Sequence, residues 1–256
     1  MNICLFTQDE INKPLPLRDE RGEHIVKILH KKKGDTFSAG IIGGMAGTAT
    51  ITEITGGTSS DKGTVSFSFE PETDGKPLYP LTLIIGFPRP IQLKRLLRDV
   101  AGLGVCAVHL TGTELGEKSY MQSSLVERGA AYRMLLDGTV QAAGTHVPEL
   151  FLHRTLAECM EAVHADGAVK IALDNVRAPC ALTGFLSAHP VKDRGRSGVS
   201  VTAAIGSERG WTDGERAMLE AAGYTRCSMG QRVLRTETAA TVAASVILAA
   251  MGKLDN

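Results

Sequence analysis

Two glycine-ended loops near the carboxyl end of the chain hold the residue types best suited to grip a small ligand. Within Ala203–Ala239, AAIGSERGWTDGERAMLEAAGYTRCSMGQRVLRTETA, the pair Ile205-Gly206 runs into Ser-Glu-Arg-Gly210, and Met229-Gly230 runs into Gln-Arg-Val-Leu-Arg235. Each reads as an apolar strand ending at a residue without a side chain, where backbone can come close to a ligand. Ligands of open parallel sheets bind beyond the carboxyl ends of strands, so two such loops side by side would floor a pocket with amides and carbonyls. Spacing alone is equally compatible with two ordinary tight turns.

Charged residues around these loops have more than one reading. Glu208, beside a glycine turn, is placed to hold a ribose or a neighbouring loop, or to stand as a solvated charge. Arg235 begins a helix, where a cation opposes the macrodipole. That placement points to a binding task or to an ion pair with an acidic neighbour. Lys27, His30, Lys31, Lys32 and Lys33 form a basic stretch with no acidic residue between His24 and Lys33. It suits phosphate contacts, and equally a solvated helix end. No P-loop lysine pattern is present, which counts against a nucleoside triphosphate. His109, His146 and His153 read as surface or packing residues and receive no role.

The elements that must position these residues change character along the chain. The first seventy residues read as short strands, Asn2–Thr7, Asp35–Ile41, Gly47–Thr55 and Gly63–Phe69, with one helix over His24–Lys33 whose Ile25, Ile28 and Leu29 share a face. Close spacing of short strands predicts a small barrel. Glu70–Pro77 is polar, carries prolines and reads as a linker. Beyond it, apolar strands alternate with helices, as in a largely parallel sheet covered on both faces. The strand candidates are Leu81–Phe87, Val105–Leu110, Val169–Asp174, Val199–Gly206 and Thr225–Met229. Leu93, Leu96, Leu97 and Val100 have helical spacing, Thr212 and Glu215 form a capping box, and Gly223 marks that helix's end. An Ala-rich helix over Glu237–Met251 is apolar nearly all round, which predicts burial and a homodimer contact.

Composition bounds the remaining possibilities. A chain of 256 residues with 43% hydrophobic and 22% charged residues has enough apolar material for one large or two smaller cores. Lys plus Arg equals Asp plus Glu at 28 each, so nucleic acid binding must use a local basic patch. The 28 glycines are about 11% of the chain against an average near 7%. Five cysteines at unrelated spacings imply neither a disulfide framework nor a metal site. No apolar stretch approaches the roughly 18–20 residues that span a bilayer, and the start MNICLFTQDEINK lacks the charged and apolar regions of a signal peptide. A cytoplasmic protein without membrane association is expected.

The carboxyl-terminal segment resembles the signature of the RsmE-type ribosomal RNA methyltransferases, a SPOUT-superfamily group. Gly206, Glu208, Gly210, Trp211, Thr212, Glu215, Gly223, Tyr224 and Gly230 match in register, as does the run Arg232-Val-Leu-Arg-Thr-Glu-Thr-Ala239. Weaker similarities are His24-Ile-Val-Lys-Ile-Leu29 with Gly34-Asp35, Leu103-Gly104-Val105, and Gln141 with Val147-Pro148. The chain departs from the family where Ser207 and Arg209 replace a proline and a glycine. Gly102 stands for a glutamate, Gly144 and His30 stand for arginines, and Pro88-Arg-Pro90 occupies the place of a Lys-Gly loop.

The resemblance implies an α/β protein: a small N-terminal PUA-like β-barrel for RNA over residues 1–72, and a SPOUT-type trefoil-knotted parallel sheet domain over 73–256. It implies S-adenosylmethionine as cofactor, methylation of N3 of a uridine in 16S ribosomal RNA, the small ribosomal subunit or its RNA as partner, and a homodimer. The expected cofactor residues are Leu173, Gly206, Glu208, Gly210, Met229, Gly230, Val233 and Leu234. Adenine is uncharged and flat, so apolar walls from Leu173, Met229, Val233 and Leu234 with loop amides suit it. Arg235, with Arg209 second, is the expected cation for the reacting base. Lys27, His30, Lys31, Lys32 and Lys33 are the expected RNA contacts. Two other classes remain. A non-catalytic or differently targeted SPOUT-fold RNA-binding protein is one; a Rossmann-type enzyme is the other, disfavoured because Leu81–Phe87 runs into Pro88-Arg-Pro90 and not a glycine-rich turn.

Overall fold

The computed structural model describes residues 2–56, 62–121, 128–163, 165, 167–191 and 199–255. The chain divides into two compact units, Met1–Pro77 with Thr139–Val147, and Leu78–Gly138 with Pro148–Asn256.

The first unit holds β1 (Cys4–Phe6), β2 (Leu15–Pro16), α1 (Glu20–Glu23), β3 (Thr36–Ile41), β4 (Ala46–Thr55) and β5 (Thr64–Thr73) in one five-stranded sheet of order β1-β3-β4-β5-β2. Only β1 and β3 pair in parallel. Alternation along β3 buries Phe37 and Ala39 and leaves Thr36 and Ser38 outside, as a sheet with one wet face requires. Phe37 and Phe6 both meet Phe67, with ring centroids 5.5 and 4.9 Å away.

Two expectations fail here. Residues 70–73 are no linker, since β5 runs through them and pairs Pro71 with Gly47 beside a register shift, where the missing proline N–H disturbs the ladder least. The helix over His24–Lys33 is also wrong. Asp19 caps the short α1, a π-type turn follows over His24–Ile28, and His30 leaves the helical region at φ +52°. The wider turn, with its i→i+5 bonds, breaks the expected face. Ile25 and Val26 are buried, whereas Ile28 and Leu29 are exposed. Residues 139–147 join this unit without any sequence signal for it, through Thr145, whose hydroxyl donates to Gly75 O at 3.1 Å.

The second unit carries β6 (Tyr79–Gly86), α2 (Pro90–Gly102), β7 (Val105–Thr111), α3 (Lys118–Met121), α4 (Arg128–Gln141), β8 (Glu149–His153), α5 (Leu156–Ala162), β9 (Val169–Leu173), β10 (Cys180–Ala181), α6 (Leu182–Ala188), β11 (Val201–Ile205), α7 (Asp213–Ala221), β12 (Thr225–Ser228) and α8 (Thr236–Ala250). Its seven strands are all parallel, in the order β10-β12-β9-β11-β6-β7-β8. Buried central strands need apolar residues on both faces. β11 accordingly has no exposed residue, and Leu81, Leu83, Ile84 and Ile85 of β6 are fully buried. Ile84, Ala172 and Ala204 lie in one row across the sheet and meet Leu156, Cys159, Trp211, Leu219 and Tyr224. α8 packs on β6 and β11 and against α2. Ala240, Ala243, Ala244, Ile247 and Leu248 are buried, but Val242 is 39% exposed, so within one chain α8 is not enclosed all round.

Because every strand of this sheet points the same way, all its carboxyl ends share one edge. Both glycine-ended loops leave from that edge.

Candidate functional site

At the ends of β9, β11 and β12 lies a cavity of about 180 Å³. Its walls are Leu173–Asn175 after β9, Ile205–Gly210 after β11, and the segment from Met229 to Thr236 after β12. All eight sequence-expected cofactor residues line it, together with Arg209. Val233 is 78% exposed and forms rim more than wall.

The first loop is held by local contacts. Gly210 donates its N–H to Ser207 O at 2.8 Å and takes φ +74°. The next residue, Trp211, is 2% exposed and its indole N–H donates to Leu173 O at 3.0 Å, tying this loop to the end of β9. Thr212 then caps α7 in the expected capping box. Buried Glu215 accepts from the backbone N–H groups of Thr212 and Glu114, both at 2.9 Å. Those amides take the place of water around its charge. The Thr236 hydroxyl donates to Gly206 O at 3.4 Å, joining the second loop to the first.

In the second loop Gly230 takes φ +95°, which a side chain disfavours, and a Cβ there would meet nothing within 4 Å. A ligand can therefore approach that backbone closely.

Asp174, named by no sequence argument, organises the wall after β9. Its side chain is 1% exposed and lies 2.7 Å from Arg216 Nε and 3.3 Å from Arg226 Nη1. It also accepts from Val176 N at 3.0 Å. Burial pushes its carboxyl up, but the hydrogen bonds from Arg216, Val176 and Arg226 outweigh that and hold it below the usual carboxylate range. The two arginines come from α7 and β12, each adjacent in sequence to one of the glycine loops.

The remaining expected residues are more scattered. Glu208 pairs with Arg89 Nε at 3.1 Å, so it holds a neighbouring loop. Arg235 is exposed at the N-cap of α8 and does not line the cavity, whereas Arg232 does. In the first unit Lys27 pairs with Glu23 at 3.0 Å, an acidic neighbour just outside the stretch read from sequence. His30, Lys32 and Lys33 are exposed, Lys31 is half-buried, and the Lys32 N–H donates to Asp35.

His109 and His153 are packing residues and not surface ones. Both are buried, on β7 and β8, with His109 Nδ1 and His153 Nε2 2.9 Å apart. Burial lowers His109 to about 4 and lowers His153 as well. With Cys159 they bring three ligand-type atoms within 4.8 Å of one another, but the two imidazoles already satisfy each other.

Comparison with known proteins places these features in context. Residues 74–248 match the model of an RNA methyltransferase domain. The ribosomal RNA small subunit methyltransferase E of Treponema pallidum is 41% identical over 256 residues, covering 97% of this chain and 91% of that protein. Ribosomal RNA small subunit methyltransferase E 1 of Borreliella burgdorferi is 28% identical, covering 97% and 98%. A ribosomal RNA small subunit methyltransferase E from Neisseria gonorrhoeae, solved with S-adenosylmethionine bound, shares the fold at a TM-score of 0.73 and 21% identity, over 97% of both chains.

Proposed function

We propose that this chain, which belongs to the ribosomal RNA small subunit methyltransferase E family, transfers a methyl group from S-adenosylmethionine to N3 of a uridine in small-subunit ribosomal RNA. The observation that carries the reading is the cavity at the ends of β9, β11 and β12, into which both glycine-ended loops turn. Its donor set fits this cofactor. Leu173, Met229 and Leu234 offer apolar surface to an uncharged base, and the open space at Gly230 admits a ligand against the backbone. Arg232 offers a counter-charge to the carboxylate of an amino-acid end.

S-adenosylmethionine supplies a methyl group made electrophilic by its sulfonium. The chain's own residues must favour the deprotonated form of the uracil imide, since N3 is a weak nucleophile while it carries its proton. A guanidinium directed at a flanking carbonyl oxygen does this by attracting the charge that develops there. Arg209, on the cavity wall, and Arg235, at the start of α8, are the groups assigned to that task.

The finer parts of the family reading belong to the same proposal. These are the trefoil knot and a PUA-like RNA-binding role for the first unit, both of which rest on the family resemblance. Dimerisation through α8 rests on the family resemblance as well. No helix among the described residues is long and apolar enough to cross a membrane, and action in the cytoplasm is part of the proposal.

Calorimetry with S-adenosylmethionine, then methylation of small ribosomal subunits with mass mapping of the product, tests the reading. The expected result is binding, transfer to one uridine N3, and loss of binding in a folded Gly230→Val variant. Failure of the parent to bind S-adenosylmethionine sinks the proposal, and binding without transfer favours a non-catalytic RNA-binding protein. Light scattering is expected to give a dimer mass.

A further inference from the structure

Cys180 and Cys227 lie 47 positions apart in sequence, and no spacing pattern relates them. The fold makes them neighbours, because β10 and β12 pair in parallel with Cys180 directly opposite Cys227. Residues at paired positions of adjacent strands project from the same face of a sheet, and here the two sulfurs stand 3.7 Å apart. Neighbouring strands are separated by roughly 4.7–4.9 Å, inside the roughly 4.4–6.8 Å between Cα atoms that disulfides span. Joining the sulfurs requires them to close by about 1.6 Å.

The two thiols are unequal. Cys227 is fully buried, and burial, then the contact with Cys180, pushes its thiol up to about 12. Cys180 sits on an edge strand and keeps partial access to solvent, so it is the thiol that an external reagent meets. Beyond each other the two thiols make only long contacts, to Arg226 O and Thr225 O, both at 3.7 Å. Little bonding is lost when they join.

The pair also adjoins the cavity at the ends of β9, β11 and β12. Met229, two residues beyond Cys227, lines that cavity. The Cys227 carbonyl accepts from the backbone N–H of Asp174 at 3.0 Å, and Asp174 lines the cavity too. A shift of Cys227 toward β10 therefore reaches two of the three walls.

Resting on the methyltransferase reading, we propose that Cys180 and Cys227 form a reversible disulfide by exchange with a small-molecule disulfide, and that this bond weakens S-adenosylmethionine binding. The Cys180 thiolate attacks one sulfur of the reagent, whose S–S bond breaks and releases one thiol. Cys227, giving up its proton, then attacks the Cys180 sulfur of the mixed disulfide and expels the second thiol. Two protein thiols are oxidised to one disulfide, one external disulfide is reduced to two thiols, and the cysteine protons end on the released thiols. The reverse exchange with excess thiol restores both cysteines. Because the disulfide and the cofactor act on the same walls, each disfavours the other by one shared factor.

The test equilibrates the full chain in mixtures of oxidised and reduced glutathione. Peptide mapping without reductant is expected to find Cys180 joined to Cys227. Calorimetry should give S-adenosylmethionine a Kd at least about fivefold higher for the oxidised protein, recovered on treatment with dithiothreitol. Saturating S-adenosylmethionine should shift the glutathione ratio at half-oxidation by the same factor, toward more oxidising mixtures. Cys180→Ser, with Cys180→Ala as the second variant should the first not fold, should keep its cofactor affinity in every mixture. Absence of the joined peptide in the most oxidising mixture, or a glutathione-capped Cys180 as the end product, overturns the disulfide. Equal affinity of the two forms, or the same loss in the Cys180 variants, overturns its effect on the cavity. A reduced parent that never binds S-adenosylmethionine defeats the functional reading and the effect with it, whereas a missing joined peptide defeats the disulfide alone.

Discussion

Asp174 accepts a 2.7 Å hydrogen bond from Arg216 and shares its other contacts with Arg226, so one buried carboxylate joins the end of β9 to α7 and β12. The three segments it joins carry the three walls of the cavity at the ends of β9, β11 and β12. Removing one partner of a buried ion pair typically costs about 3–5 kcal/mol where the other charge is left alone, but here Arg216 keeps Asp213 at 2.9 Å and Arg226 keeps Glu220 at 2.6 Å. Arg216 and Arg226 keep 14% and 18% of their surface, which lowers that figure. Asp174→Ala is therefore expected to destabilise the second unit by about 2–4 kcal/mol. Because the folded carboxyl lies below its ordinary range, its contribution is present above the unfolded pKa and is lost as pH falls through the folded one. The single tryptophan, Trp211, is buried in this unit and reports its unfolding in urea. An unchanged midpoint in Asp174→Ala would mean that the carboxylate holds nothing together.

The paired histidines predict a second pH effect. Burial holds His109 at about 4, below its ordinary value of 6.5, and His153 is lowered in the same direction. The unfolded chain then binds more protons than the folded one between those values. Stability from this source is complete above about pH 6.5 and is lost as pH falls toward 4. One buried histidine shifted this far accounts for roughly 2–3 kcal/mol. Urea midpoints followed by Trp211 fluorescence should fall more steeply with acid in the parent than in His109→Gln. Parallel pH profiles for the two proteins would count against the histidines.

The loops 206–210 and 229–235 were legible because their chemistry is local: each couples an apolar strand to a glycine within a few residues. The same holds for the Thr212–Glu215 capping box, which needs only a spacing of three. Asp174, Arg216 and Arg226 escaped because their meeting depends on β12 lying beside β9, and no local period encodes that order. Thr145 escaped likewise, since its place in the first unit rests on backbone carbonyls of Gly44 and Gly75. The π-type turn at His24–Ile28 shows the opposite failure. A helical spacing was present, but the backbone abandoned the period that gave the spacing its meaning. β8 was missed because Leu150, Phe151 and Leu152 are not buried, so an edge strand lacked the alternation that marks one.

The basic stretch now divides into unequal parts. Lys27 is matched by Glu23, whereas Lys32 and Lys33 are exposed. Replacing Lys31, Lys32 and Lys33 by serine is expected to weaken binding to small ribosomal subunits and to flatten its salt dependence. The slope of log K against log salt should fall by up to about 2–3, since each phosphate contact releases close to one counterion. Lys27→Ser should do little. Fluorescence anisotropy across a salt series decides the matter, with calorimetry confirming unchanged cofactor binding. Equal slopes for parent and triple variant would remove this stretch from the RNA surface.

Arg209 and Arg235 compete for the electrostatic role at the reacting base. The sequence favours Arg235, but Arg209 lines both the cavity at the ends of β9, β11 and β12 and a smaller cleft beside it at Phe87 and Arg89, while Arg235 lies outside the cavity wall. A cation favours the deprotonated imide only where it reaches the carbonyl oxygens beside N3. Arg209→Ala is therefore expected to lower the single-turnover methylation rate at least about tenfold, a loss of roughly 1.4 kcal/mol of transition-state stabilisation. Its pH–rate profile should shift toward higher pH, because deprotonating N3 becomes harder without the guanidinium. Arg235→Ala should show the smaller effect. If Arg235 instead only holds its loop, cofactor affinity should fall together with the rate. A full rate and an unshifted profile in Arg209→Ala, at saturating substrate, would assign the role to another group. The reverse ranking, with intact cofactor affinity in Arg235→Ala and a tenfold slower rate, would restore Arg235 as the catalytic cation.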